Sequence, residues 1–279
     1  GRAIVRDVWP REQAASRLGY VMMGMTVAPM LAPFAGALIE DAFGWRAILV
    51  ACLAFGGVLL WAVRARLPET LVAPRALPGL GGAVMGYLQV LRAPDFRALG
   101  AVSACSSGVF FSFMAGAPFA VVNGMGHTPR TYGLVFMAVS GGFGLGSWVA
   151  ARFSARQGTL RMLAIGLALT TAGGLLAAVV QLTLPLTLAG FFGPMVLVAL
   201  GNGISMPNSV AAAVGARPGL AGTASGLLGA MQMGFGALMT VVVGLAERGA
   251  GIATVLTMLG CALGAQLALR GARRALPAG

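Results

Sequence analysis

The chain has 279 residues, of which 58% are hydrophobic and only 9% charged. Soluble domains carry about 25% charged residues, so this composition excludes an ordinary soluble fold and points to a membrane protein. The net charge of +12 comes from 19 arginines and no lysine. These arginines fall between apolar runs without a basic stripe or reader motif, so nucleic acid is not expected as a partner.

The opening residues, "GRAIVRD", contain no initiator Met, signal peptide or apolar run, and the expectation is an N-terminally truncated chain. A bilayer-spanning helix needs about 20 apolar residues. Charge-free runs predict eight spans, near 18–39, 46–64, 98–122, 131–151, 162–181, 185–207, 219–246 and 250–269. The fifth and sixth come from one run, 162–216, which "QLTLPL" at 181–186 breaks at Pro185. The first span holds Pro29, Pro33 and Gly36 at i, i+4 and i+7, along one helix face. Prolines there free carbonyls and bend the helix, which is tolerable where neighbours or water satisfy them. Between the second and third spans, "APRALPGLGG" reads as a linker. "AVMGYLQVLRAPDFRAL" follows it and reads as a short helix on the membrane surface.

Eight spans place the loops alternately on two sides. The side with 1–17, 64–97, 152–161, 208–217 and 270–279 holds sixteen arginines; the other holds Arg46, Arg130 and Arg248. By the positive-inside rule the first side is cytoplasmic, with both chain ends. The domains expected are 1–66 (two spans of an N-terminal half), 67–97 (a cytoplasmic linker) and 98–279 (a C-terminal six-helix half).

Chemistry-bearing residues are few. All seven acids lie in predicted loops or at span ends, so no mid-membrane carboxylate offers itself as a proton carrier. No Ser-His-Asp set, metal cluster or nucleotide loop is present, and no enzyme is expected. "GGFGLGSW" at 141–148 lacks phosphate-loop spacing; its Gly142 and Gly146 form a small-xxx-small pair for close helix packing. Cys52, Cys105 and Cys261 read as packing residues, and His127 as a turn residue. In the third span Phe110, Phe113 and Met114 offer an aromatic, flexible wall, with Pro118 bending the helix. Asn202, Asn208 and Gln232 are amides within spans. They face either another helix or a substrate, because an unsatisfied amide in lipid is costly. Phe136, Met231 and Phe235 are weaker candidates, with core or lipid contact expected.

The segment "RAIVRDVWPREQAASRLGYVMMGMTVAPMLAPFAGALIEDAFGWRAI", "LPET" at 67–70, "GSWVAARFSARQGTLRM" at 146–162 and "MPNSVAAAVGARPGLAGTASGLLGAMQMGFGAL" at 206–238 resemble the major facilitator superfamily (MFS). Within it they resemble the Bcr/CflA branch of drug–proton antiporters. The resemblance implies an all-α polytopic membrane protein of MFS-type fold, equivalent to helices 5–12, with helices 1 to most of 4 missing. It aligns Gly24, Ala28, Pro29, Pro33 and Gly36 with the family's antiporter motif, Ala28 standing where the wider family has glycine. It aligns Arg152, Arg156, Gly158 and Arg161 with the second copy of the signature cytoplasmic loop, although Ala151 replaces the acid often found there. The implied function is export of small amphipathic drugs, chloramphenicol- or bicyclomycin-like, from the bacterial inner membrane. It would be driven by proton exchange without a bound cofactor, in a multi-pass monomer whose partners are the bilayer and a hydrophobic substrate. A carrier for a defined neutral metabolite and a non-transporting fragment are the alternatives.

Overall fold

A computed structural model describes residues 32, 35–67, 80–216, 220–248 and 250–275. The first predicted span, 18–39, lies largely outside these residues, as do Gly24, Ala28, Pro29 and Pro33 of the motif and the "LPET" and "APRALPG" stretches. Every regular element among the described residues is helical. Seven helices among them are long and apolar enough to cross a membrane, and they coincide with the second to eighth predicted spans. The chain divides into two compact units, Gly1–Leu77 and Pro78–Gly279.

In the first unit, residues 35–43 are helical and end at Gly44. Its φ of 78° is a left-handed value that a side chain would strain. Helix α1 (Trp45–Arg66) then runs 22 residues without burying one of them. Arg46 stacks over the Trp45 ring at 4.6 Å, near an end of the span where aromatic and cationic side chains suit an interface.

The second unit begins with α2 (Leu80–Arg92), which Ala93 separates from α3 (Pro94–Phe119). Pro94 occupies the first turn of α3, where its missing N–H costs nothing. Past Pro118 the ladder widens into a π-turn, Ala120–Gly124. Helix α4 (Pro129–Gln157) is capped by Thr128, whose hydroxyl accepts from Thr131 N. Gly158 alone, at φ 87°, turns α4 into α5 (Thr159–Thr183). The predicted break at Pro185 falls in the non-helical stretch before α6 (Leu188–Gly215), which Thr187 caps through Gly190 N at 3.1 Å. Helices α7 (Ala221–Ala246) and α8 (Ile252–Ala275) complete the unit.

Packing follows an exchange pattern. Helix α3 lies along α7 and α8, and α6 lies along α4 and α5. The first helix of each three-helix repeat (α3–α5 and α6–α8) therefore packs against the second and third helices of the other repeat. Three helices per repeat, joined by short turns, make the second repeat enter from the opposite side, so the two are inverted. Close approach is built from glycine. A Cβ on Gly142 would sit 2.8 Å from the Val196 carbonyl oxygen, and one on Gly146 would overlap that of Leu200. This is the role the spacing of these two glycines predicts. On the other face of α6, Cβ atoms on Gly166 and Gly173 would come within 2.7 Å and 2.8 Å of backbone atoms of Ser205 and Val198.

Two apolar clusters mark the two ends of the unit. Val90, Phe96, Leu163, Leu228 and Leu269 gather at one end; Phe113, Val121, Phe136, Phe191 and Val255 gather at the other. The first end carries exposed Arg92 and Arg97 at the α2–α3 junction, Arg152 and Arg156 late in α4, Arg161 early in α5, and Arg270, Arg273 and Arg274 late in α8. The described arginines at the other end are Arg130 and Arg248.

Candidate substrate-facing site

Helix α3 is the most informative element because each of its faces has a different neighbour. Gly100 meets the Met231 side chain, Gly108 meets the Phe235 ring and a Cβ on Gly236 would overlap Phe111; this face belongs to α7. Gly108 also abuts Cys261, and Gly116 abuts Thr254, so the next face belongs to α8. Phe113 belongs to the face toward α4 and α6. It stacks on Phe136 (centroids 6.0 Å apart, interplanar angle 17°) and meets Phe192 edge-on at 6.1 Å. Tyr132 and Phe191 extend this buried aromatic cluster.

Ser103, Phe110 and Met114 occur at i, i+7 and i+11 and share the remaining face of α3. Ser103 is fully buried, while Phe110 and Met114 are half-buried. Gln232 reaches this face from α7: its Nε2 donates to Ser103 Oγ at 2.8 Å. The structure thus brings Gln232, Ser103, Phe110 and Met114 to one side of the α3–α7 pair. No ionised side chain belongs to this set.

The other two amides are placed differently. Asn208 Nδ2 donates to Ile204 O of its own helix at 2.8 Å. Asn202 is 3% exposed, and its Oδ1 has no hydrogen-bond partner. Among the described residues, the hydroxyls of Ser106 and Ser107 are likewise buried without a partner. Serines in apolar helices ordinarily bond a carbonyl one turn back, as Thr170 and Thr257 do here at 3.0 and 2.8 Å. Ser103 was not a predicted site residue. The signal available for it is the serine cluster of "SACSSGVFFS", polar residues concentrated in an otherwise apolar span.

Arg152, Arg156 and Arg161 surround Gly158 at the α4–α5 turn, all exposed. Gly36, the described member of the antiporter motif, is half-buried, and a Cβ there would meet nothing within 4 Å. At the opposite end Glu247 is 8% exposed. Its carboxylate accepts from Gly251 N (2.9 Å), Thr254 N (3.1 Å) and Thr254 Oγ1 (2.7 Å). An anion suits the N-terminus of α8, where these N–H groups have no helical acceptor. Predicted as a span-end acid, it is a buried clamp of the α7–α8 turn.

Inverted three-helix repeats, glycine-lined helix contacts and an uncharged polar and aromatic face between helices define a polytopic α-helical membrane protein of the transporter type. The sequence profile of the Major Facilitator Superfamily matches residues 1–241, and the chain belongs to that superfamily. It is 24% identical over 266 residues to the bicyclomycin resistance protein homolog of Haemophilus influenzae, and 26% identical over 271 residues to multidrug resistance protein D of Escherichia coli. Each alignment covers 93% of this chain and 65% of the relative, so the chain spans less than two thirds of their length. These relatives are consistent with the Bcr/CflA-type drug-efflux branch. The fold resembles that of a bacterial homologue of the human lysosomal transporter Spinster. The TM-score is 0.62 at 16% identity, over 99% of this chain and 75% of that one.

Proposed function

We propose that this chain serves a secondary active transporter of the bacterial inner membrane. It exports small amphipathic drugs, chloramphenicol- or bicyclomycin-like, in exchange for protons. The observation that carries this reading is the face formed by Ser103, Phe110, Met114 and Gln232. An aromatic ring and a flexible thioether accept varied apolar shapes. The Gln232 amide and Ser103 hydroxyl offer neutral hydrogen-bonding groups that fix orientation without demanding charge. Two similar proteins named for bicyclomycin and multidrug resistance support the same substrate class.

In this reading the proton gradient supplies the energy, no cofactor is bound, and the protein acts as a monomer with both chain ends in the cytoplasm. Alternating access moves two bundles about the site. Gly24, Ala28, Pro29, Pro33 and Gly36 seal one route, while the Arg152–Arg161 turn faces the cytoplasm. No described span of the chain holds a mid-helix carboxylate, so no residue here is assigned the proton-coupling role.

Efflux of a fluorescent amphipathic cation and of chloramphenicol from cells expressing the protein tests the proposal. Export should stop when the proton gradient is collapsed. Gradient-independent export would reject antiport, and saturable export of one neutral metabolite alone would favour a dedicated carrier.

A further inference from the structure

One end of the second unit is a surface of exposed cations. It carries the eight arginines at the α2–α3 junction, the α4–α5 turn and the end of α8, all exposed. Among the described residues, no side-chain hydrogen bond or ion pair engages their guanidiniums. Asp95 is the one described acid at this end. Packing against the body accounts for one side of α2: Val90 is fully buried, and Gly86 lies against Thr223. Its other side is apolar and uncovered. Met85, Leu88 and Leu91, spaced three apart, are 53%, 41% and 38% exposed, and Arg92 closes the stripe.

We propose that this end binds anionic phospholipid headgroups. The guanidiniums pair with phosphodiester oxygens, while Met85, Leu88 and Leu91 enter the upper acyl region. Three features select that occupant. The charge is complementary to an anionic leaflet, which attracts basic groups beside a membrane span. Each of the eight is arginine, whose planar fork matches phosphate oxygens in pairs, where an ammonium acts as a point charge. Ala93 alone joins α2 to α3, which holds the stripe at the level where α3 enters the membrane, as an interfacial amphipathic helix requires. The inference rests on the membrane-spanning fold and not on the transport proposal.

The test uses the purified chain in neutral detergent. Phosphatidylglycerol, phosphatidylcholine of matched acyl chains and inorganic phosphate are titrated separately. Thermal unfolding and lipid adducts in native mass spectrometry are recorded. Phosphatidylglycerol should raise the melting temperature and remain bound, and high salt should reduce both effects. Phosphatidylcholine and inorganic phosphate should do neither. The triple variant R270Q/R273Q/R274Q should lose about tenfold or more in phosphatidylglycerol affinity, as should M85S/L88S/L91S in adduct retention. The pair R130Q/R248Q, at the other end, should leave both unchanged. Equal stabilisation by phosphatidylcholine overturns the proposal. So does full reproduction by inorganic phosphate, which would mark a soluble-anion site, or undiminished affinity in the triple arginine variant.

Discussion

Gln232, Asn202 and Asn208 look equivalent in the sequence, three amides in apolar helices, yet they do three different things. Asn208 bonds its own backbone, Asn202 leaves a carbonyl oxygen unpaired, and Gln232 crosses to Ser103. Gln232→Leu should therefore lower export of amphipathic substrates several-fold in a cell efflux assay. It should cost only about 1 kcal/mol of stability, because Ser103 can then bond its own helix. Asn208→Leu should leave efflux near wild type; an equal loss from both would remove the case for a Gln232-specific role. Periodicity predicts which residues lie in a span. It does not say which face meets which helix, because a helix with apolar residues all round carries no amphipathic signal. Phe113 illustrates this. It is one position from Met114 and three from Phe110, but it belongs to the aromatic cluster with Phe136 and Phe192. Gly158 makes the residue-scale counterpart at the turn. Its φ of 87° and ψ of 139° fall where side chains are strained, so Gly158→Ala should cost about 1–3 kcal/mol, measured as a lowered midpoint in thermal unfolding.

At the scale of elements, helix existence was legible and helix length was not. Charge-free runs ended the predicted spans at 151 and 269, whereas α4 continues to Gln157 and α8 to Ala275. The helices do not stop where the charges start. Arginine is a good helix former whose long stem lets the charged end reach the interface while the backbone stays helical. The close-packing face of α4 was legible because Gly142 and Gly146 state the requirement by their spacing, but its partner, α6, was not. Gly146→Val should disrupt that contact, since even a Cβ overlaps the Leu200 carbonyl. The expected outcome is a loss of folded monomer in size-exclusion chromatography. Gly141→Val, where a Cβ meets nothing within 4 Å, should behave as wild type. The α7–α8 turn gives a second case. Glu247→Ala removes the acceptor of three hydrogen bonds. It should destabilise the protein by about 1–3 kcal/mol, with Glu247→Gln recovering part of the loss. Identical unfolding midpoints for all three proteins would show that the clamp is dispensable.

Across the whole chain, hydropathy treats the spans as equals, but their packing differs. Helices α3 and α6 bury side chains over most of their length, because each is the shared member of an exchanged triad. Helix α1 is as apolar as its counterparts and buries none of its residues. Local opening of α1 releases no side chain that is buried in the described fold. Opening α3 parts the aromatic cluster, the Gln232–Ser103 bond and the contacts with α7 and α8, so its free energy should approach that of global unfolding. Hydrogen exchange read by mass spectrometry in detergent should therefore rank the spans. Amides of α3 and α6 should exchange most slowly, those of α5 and α8 next, and those of α1 fastest. Detergent shields every apolar helix from water to a similar degree, so a ranking set by hydropathy alone would give α1 and α5 equal protection. Equal protection of α1 and α6 would mean that burial within the described fold does not govern opening. The rank order, if observed, ties the exchange pattern to the inverted repeats, since the two slowest helices are the first member of each.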